Sequence, residues 1–346
     1  MGFVEALTMN AVSYLPHGYT ARTFRGPDDY PVLADLLNAS EAANSSEYVT
    51  SVEDLAHNYS HVQRCDLRTD LLLVHDPVGE PAAYTRVFWD QELDGLRRYG
   101  FVCNILPEHR AALTSGMLDW IETRIRAIAA DQGYAGERVY QTWCENEAGM
   151  GWMIDHLRAR GYDVTRYGYM MLRDLAEPIP ADDLPDGFNT RHCERADLRV
   201  IWDAMDEAFR DHWGFREQTE ADFERWSTEP ELDPTLWQVA WAGDEVAGMV
   251  LNFVPREENE KLGLSRGWTD PICVRRPWRR KGVARALILR SLRMFRKLGY
   301  KEAALGVDTQ NPNGALQLYE SCGFRPYRRS VTLRRALVLE PQAEAA

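Results

Sequence analysis

Val274-Arg275-Arg276-Pro277-Trp278-Arg279-Arg280-Lys281-Gly282-Val283-Ala284 is a hydrophobic run that stops, a basic turn containing a glycine, and the start of a helix. Backbone N–H groups in the first turn of a helix have no partner within it, and the helix dipole leaves partial positive charge there. Gly282 lets the backbone come close to a ligand, Ala284 keeps the next turn small, and Arg279, Arg280 and Lys281 add formal charge. This chemistry predicts a pyrophosphate cradle. Taken alone, the stretch also fits a helix that follows a strand and shows water a basic face. It is neither a Walker A loop nor Gly-x-Gly-x-x-Gly. Outward from it, residues 267–274 read as a strand. Residues 282–298 read as a helix with Ala284, Leu287, Ile288, Leu292 and Phe295 on one buried stripe, capped by Gly299. Residues 301–307 then read as a strand, 312–322 as a helix with Pro312 in its first turn, and 325–334 as a final strand. The order implies a mixed α/β (α+β) layer, with helices packed on a largely antiparallel sheet.

A second segment, Val307-Asp308-Thr309-Gln310-Asn311-Pro312-Asn313-Gly314-Ala315-Leu316-Gln317-Leu318-Tyr319-Glu320-Ser321-Cys322-Gly323-Phe324, is a strand, a polar turn and a short helix. Tyr319 is either a core aromatic with its hydroxyl satisfied or a phenol placed to protonate a leaving thiolate. Together the two segments resemble the GNAT superfamily of acyl-CoA-dependent N-acyltransferases. Arg279 to Ala284 fits its [Gln/Arg]-x-x-Gly-x-[Gly/Ala] pyrophosphate loop, and Asn311 to Phe324 fits its Asn…Ala-x-x-Leu-Tyr-x-x-x-Gly-Phe element. The resemblance covers residues 187–337, and the wording of the second segment is similar to the tandem, mycothiol-synthase-like branch. It implies acetyl-CoA as co-substrate and a primary amine of a small molecule as acceptor. It further implies that Ile272, Cys273 and Val274 run along the pantetheine, with the Val274 N–H polarising the thioester carbonyl. Arg279, Arg280, Lys281, Gly282, Val283 and Ala284 would wrap the pyrophosphate, Asn311 would touch the pantetheine arm, and Tyr319 would face the sulfur. Cys273 and Cys322 have no evident histidine partner, so the resemblance implies direct attack without a covalent enzyme intermediate. A module that binds acyl-CoA or a partner without turnover is the competing reading.

The chain reads as two copies of one plan. Gly18-Tyr19-Thr20-Ala21-Arg22 is echoed by Gly187-Phe188-Asn189-Thr190-Arg191 at an offset of 169, and Asp28 by Asp197. Glu80-Pro81-Ala82-Ala83 is echoed by Glu245-Val246-Ala247-Gly248, Gly161-Tyr162 by Gly323-Phe324, and Leu172-Arg173 by Leu333-Arg334. Residues 174–187 hold Pro178, Pro180 and Pro185 and no period, so they read as a join. The expected layout is a domain at 1–175, a linker at 176–186 and a second domain at 187–340, with a frayed tail at 341–346. In the first copy Arg110 is kept, but Leu113 stands where Gly282 stands, Ser115 where Ala284 stands, and Leu157 where Tyr319 stands. Asn146 and Gly149 echo the turn before the helix. The first copy therefore reads as a degenerate acyltransferase fold.

Attack on a thioester needs a neutral amine and so a general base. Asp270 is the leading candidate, because in an unbroken strand it shares a face with Ile272 and Val274. A turn or capping aspartate is its plainer reading, and Pro271 bends the parity rule. Asp211, His212 and Glu207 lie near the region that forms the acceptor wall in the family. Trp213, Trp226, Trp237, Trp241, Trp268 and Trp278 line a cleft or fill the core.

The 346 residues suit two domains. A hydrophobic share of 45% and a charged share of 27% exclude disorder. No apolar run approaches membrane-spanning length, and residues 1–17 carry no secretory pattern. Six cysteines without Cys-x-x-Cys spacing imply no metal site and reduced thiols, hence a cytoplasmic protein. A net charge of −13 argues against nucleic acid. Yet residues 275–301 hold eleven Lys/Arg and no Asp/Glu, which leaves −24 on the rest. Such contrast fits one anion site, and the acidic remainder fits a cationic acceptor or solubility. A monomer or homodimer is expected.

Overall fold

The protein is known here as a computed structural model that describes residues 13–181 and 183–339. Residues 1–12 and 340–346, which include most of the leader and all of the tail considered above, lie outside the described residues. In chain order the elements are β1 (Thr20–Thr23), α1 (Tyr30–Ala43), α2 (Val52–Ser60), α3 (Leu67–Asp70), β2 (Leu71–His75), β3 (Pro81–Gln91), β4 (Arg97–Ile105), α4 (Arg110–Asp131), β5 (Arg138–Cys144), α5 (Gly151–Ala159) and β6 (Asp163–Asp174). There follow β7 (Asn189–Thr190), α6 (Leu198–Phe209), α7 (Glu220–Ser227), β8 (Gln238–Ala242), β9 (Glu245–Phe253), α8 (Arg256–Leu262), β10 (Arg266–Val274), α9 (Val283–Lys297), β11 (Glu302–Asp308), α10 (Ala315–Ser321) and β12 (Arg325–Ala336).

The chain divides into two compact units, and the division does not fall at the expected join. Among the described residues, unit 1 comprises 13–165 and 331–339, and unit 2 comprises 166–181 and 183–330. The end of β12 therefore belongs to unit 1, where Val331–Ala336 pairs antiparallel with β5. Most of β6 belongs to unit 2, where Asp174 to Gly168 pairs antiparallel with β11. Two copies of one plan present equivalent strand edges, so each final strand finds in the other copy the edge it would find in its own. Residues 175–188 are long enough to permit it.

Each unit carries a mixed, largely antiparallel sheet flanked by helices. Unit 1 orders its strands β1-β2-β3-β4-β5-β12 and unit 2 orders its own β6-β11-β10-β9-β8-β7. The parallel pairs are β4–β5 in unit 1 and β10–β11 in unit 2, which is the same plan twice. In unit 2 one face of the sheet packs on α9 and α10 through Val250, Val283, Leu287, Leu292, Phe295 and Leu305. The other face packs on α6 and α7 through Ile201, Val239, Trp241, Met249 and Leu251. The period-2 alternation of β9 separates these two sets. Removing Leu287 or Leu292, both fully buried, would cost about 2–5 kcal/mol.

Two irregularities shape the centre of unit 2. Parallel pairing of β10 with β11 runs from Arg266↔Glu302 to Trp268↔Ala304 and then stops, although both strands continue. Beyond that point the β11-facing edge of β10 is without a strand partner. On its other edge β10 pairs with β9, and its register slips by one residue between Thr269 and Ile272. The extra residue is a β-bulge at Asp270-Pro271, whose peptide is cis. It reverses the parity: Ile272 and Val274 turn to the α9 face and share it with Thr269, while Cys273 turns to the α6 face. The strand rule that groups Asp270 with Ile272 and Val274 therefore fails here. A second correction concerns α10, which starts at Ala315 behind Gly314, not at Pro312. Asn311 folds the intervening residues into a turn, its Oδ1 accepting from the Asn313 N–H at 2.9 Å.

Candidate active site

The turn between β10 and α9 is built on unusual backbone. Arg280 has φ 63° and Gly282, the N-cap of α9, has φ 85°. Alternating left- and right-handed residues point successive N–H groups into one concavity. The first intrahelical bond runs from the Ala286 N–H to the Gly282 carbonyl at 3.1 Å, so the N–H groups of Val283, Ala284 and Arg285 precede the ladder. Arg280 and Lys281 are exposed, and neither is in an ion pair among the described residues. They and the turn's amides are free to meet an anion.

Arg279 does something else. Its Nε donates to the Val274 carbonyl at 2.9 Å, one terminal nitrogen to Asp211 at 2.6 Å, and the other to the Ala208 carbonyl at 3.0 Å. With its donors spent on the protein, the Arg279 guanidinium is a brace between the turn and the end of α6, not a phosphate ligand. Arg276 also donates to Asp211, at 2.9 Å, and Arg275 to Glu207 at 2.8 Å. Two arginines hold the Asp211 carboxyl far below the usual carboxylate range. Asp211 and Glu207 therefore serve this clamp and are removed from the candidate bases. His212 is exposed, and its ring lies 5.5 Å from that of Phe209.

Backbone direction places Val274. The Arg275 N–H donates to the Ala247 carbonyl of β9 at 2.9 Å. Polar groups alternate along an antiparallel strand, so the N–H groups of Val274 and Ile272 point away from β9, toward the unpartnered edge.

Asp270 stands in the gap between β10 and β11. Burial pushes its carboxyl up to about 6, opposed by a hydrogen bond from the Gly306 backbone. Gly306 is exposed although Ala303, Ala304 and Leu305 before it are fully buried, and a Cβ built there would lie 3.5 Å from Asp270 Oδ2. The register places Gly306 on the α6 face. Tyr319, 7% exposed, belongs to the cluster on the α9 face. Burial chiefly, and then the Asp270 charge, raise its phenol above the ordinary value, so it stays protonated. The Asp270 carboxyl on one face and the Tyr319 phenol on the other are close enough for the Asp270 charge to act on the phenol. Burial pushes the Cys273 thiol up to about 12 and raises that of Cys322, so neither is a ready thiolate. Asn311, half-buried at the turn before α10, keeps its amide nitrogen unbonded among the described residues.

Sequence reasoning missed Gly306, whose signal was a glycine interrupting a run of strand formers. The tryptophans divide: Trp226 stacks on Trp237 at 5.6 Å in the core, Trp268 stacks on Phe253 at 5.9 Å, and Trp241 is buried. Among the described residues no cluster of three or more His, Cys, Asp or Glu could hold a metal, and no helix is long and apolar enough to cross a membrane.

The corresponding place in unit 1 is built from the same parts and filled. Arg110 Nε donates to the Ile105 carbonyl at 3.4 Å, the counterpart of Arg279 and Val274 at the shared offset of 169. Arg110 also donates to Asn44 Oδ1 at 2.8 Å, and its guanidinium lies 4.3 Å from the centre of the Trp152 ring. Asn44, 1% exposed, accepts from the Trp152 indole at 3.2 Å and, through its carbonyl, from Asn146 at 3.0 Å. Helix α4 begins at Arg110, one turn earlier than α9 in its copy, so Leu113 is fully buried inside a helix. Strand β4 pairs with β3 in unbroken register, without the bulge of β10.

The strand opening thus lies beside a helix N-terminus lined with amides, and it has a buried carboxyl and a protonated phenol near it. The description "Acetyltransferase (GNAT) family" matches residues 198–324, which contain all of these parts. The mycothiol acetyltransferase of Thermobispora bispora is 30% identical over 218 residues, covering 61% of this chain and 70% of that protein. The mycothiol acetyltransferase of Geodermatophilus obscurus is 28% identical over 214 residues, covering 58% of this chain and 65% of that protein. Among solved structures, a GCN5-related N-acetyltransferase from Sphaerobacter thermophilus superposes with a TM-score of 0.69 at 27% identity, over 93% of this chain and 96% of that one. A tandem GNAT protein from the clavulanic acid biosynthesis pathway shares the fold, with a TM-score of 0.63 at 13% identity, over 93% and 99% of the two chains. The chain belongs to the GNAT family of acetyltransferases, and its reaction is the N-acetylation of an amine.

Proposed function

We propose that unit 2 transfers acetyl from acetyl-CoA to a primary amine of a small molecule by direct attack. The observation that carries this reading is the placing of Asp270 and Tyr319 on opposite faces of the gap between β10 and β11. An amine arriving from the α6 face gives a proton to the Asp270 carboxylate, directly or through water, and attacks the thioester carbonyl. The Val274 N–H, aimed at the gap, stabilises the developing oxyanion. The C–S bond then breaks, and Tyr319 protonates the departing CoA thiolate on the α9 face. The amides of Gly282, Val283 and Ala284, with Arg280 and Lys281, hold the pyrophosphate. The edge at Ile272, Cys273 and Val274 pairs with the pantetheine, and Asn311 meets it from the other side. Two cysteines held as thiols favour direct attack over an acyl-cysteine relay. Six free cysteines suit a reducing, cytoplasmic setting.

Unit 1 is, in this reading, a degenerate copy whose cofactor slot is closed by Asn44, Arg110 and Trp152. Calorimetric titration of acetyl-CoA into the full chain tests both parts. One site per chain is expected, abolished by Gly282→Leu, because a φ of 85° is strained for any other L residue and a leucine would crowd the phosphate. Absence of binding in the unmodified chain refutes the acetyl-CoA reading, and a second site refutes the degenerate copy.

A further inference from the structure

Arg166 begins unit 2, and the reaction described above gives its charge no role. We propose that it reads a carboxylate or phosphate on the acceptor, so that the substrate is an amine carrying an anionic group. The proposal rests on the acetyltransferase reading above. Pairing of Gly306 with Met170 and of Asp308 with Gly168 puts Gly168 and Met170 on the α6 face, and alternation puts Arg166 there as well. This is the face on which Asp270 meets Gly306. Between Asp270 and Arg166 this face carries Met170 and Asp308 beside Gly306 and Gly168, and a Cβ built on Gly168 would lie 2.5 Å from Ser330 Oγ.

The guanidinium is fixed yet has no acidic partner. Its carbon lies 4.7 Å from the centre of the Trp213 ring, on the segment that follows α6. One terminal nitrogen donates to Gln310 Oε1 in the turn after β11. Its Nε is shut off from solvent and has no hydrogen-bond partner. No carboxylate pairs with Arg166 among the described residues, whereas the nearby loop arginines Arg275, Arg276 and Arg279 all do pair. A half-buried arginine stacked on an indole and braced by a neutral amide keeps an edge for a planar anion. Four residues of strand separate it from the Met170–Gly306 pair. That is roughly 13 Å at the strand rise, shortened by the reach of the side chain.

The test is a panel of matched acceptors with the full-length protein: 6-aminohexanoate, 8-aminooctanoate, their primary amides, and the corresponding aminoalkyl phosphates. Turnover is followed as free CoA. The expected result is a kcat/KM at least about tenfold higher for one anionic series than for the amides. The favoured series tells carboxylate from phosphate. Arg166→Gln should bring the ratio close to one, and Arg166→Lys should restore part of it. Acetyl-CoA binding checks that each variant is folded; if Arg166→Gln is not, Arg166→Lys is read alone and an unchanged ratio overturns the proposal. A ratio near one in the unmodified protein overturns it, as does a ratio that survives Arg166→Gln. If no member is acetylated, the same ratios are read as dissociation constants in the presence of CoA, and no binding by any member overturns it. Acetyl-CoA binding with an indifferent panel removes only the Arg166 assignment, and failure to bind acetyl-CoA removes the reading beneath it.

Discussion

Asp270 carries two opposed demands in one carboxyl. Burial raises it to about 6, so in the proposed role of base it would accept an amine proton more strongly than an ordinary carboxylate while staying ionised at neutral pH. With an acceptor amine of low basicity, kcat/KM should climb about tenfold per pH unit below 6 and level off above it. Asp270→Asn should lower the plateau by roughly 10²–10⁴-fold and abolish the acid limb. A pH profile that keeps its limb in Asp270→Asn assigns the base elsewhere. The same shift has a price in stability, with a definite sign. Below the unfolded value of 3.8 both states hold the proton. Between 3.8 and about 6 the folded chain holds the extra proton, so folding weakens as pH rises, and above 6 the deficit is constant. Asp270→Asn should therefore be more stable than the unmodified chain at pH 8, by about 3 kcal/mol, and equally stable near pH 3. Asp270 is singled out by its place two residues before Ile272, and the strand parity behind that choice fails. The bulge moves Ile272 and Val274 to the other face, and register is set by pairing that no local pattern encodes. Arg279 misled in the opposite way: the motif marks it as a phosphate ligand, and its three acceptors become visible only once α6 is folded against the turn.

At the scale of elements, the strand–turn–helix module works because α6 holds the turn open. Asp211 lies just beyond α6 and receives both Arg276 and Arg279, while Glu207, one turn earlier, receives Arg275. These pairs are partly exposed, so little global stability is expected from them. On the proposed function they would hold the amides of Gly282 to Ala284 ready for an anion, which lowers the ordering cost of binding. Asp211→Ala should weaken acetyl-CoA by about five- to tenfold with little change in melting temperature, since one charge-assisted contact is worth about 1 kcal/mol or somewhat more. Calorimetry beside thermal melting separates the two. An unchanged Kd would show that the turn is rigid without its clamp, and a large fall in melting temperature would make the clamp structural. The equivalent brace in unit 1, Arg110 on Ile105, is present although Asn44 and Trp152 pack on its guanidinium. That persistence marks the arginine as a part of the fold, and it explains why Arg110 was the one residue of the motif the first copy kept.

The whole molecule departs furthest from its sequence in the fate of the two last strands. Repeats at fixed offsets made two units of one plan readable, together with the helix order of each. They could not tell which final strand joins which sheet, because β6 and β12 are copies of one element and hydropathy alone fits either edge. The observed division gives Val331–Ala336 to unit 1. There Arg334 pairs with Glu92 and donates to Gln141 at 2.7 Å, and Arg335 pairs with Glu122 at 2.7 Å; both carboxylates are nearly buried. A chain ending at Ser330 should therefore damage unit 1, though the deleted residues lie at the far end of the sequence from it. Hydrogen exchange should lose protection across Arg138–Cys144, which faces Val331–Ala336, while Glu302–Asp308 keeps β6 beside it and stays protected. Stranding two buried carboxylates should cost unit 1 about 3–5 kcal/mol for each pair broken, and its melting transition should fall first. If protection is instead lost across Glu302–Asp308 with Arg138–Cys144 intact, the strands are not exchanged and the join lies at residues 176–186 after all.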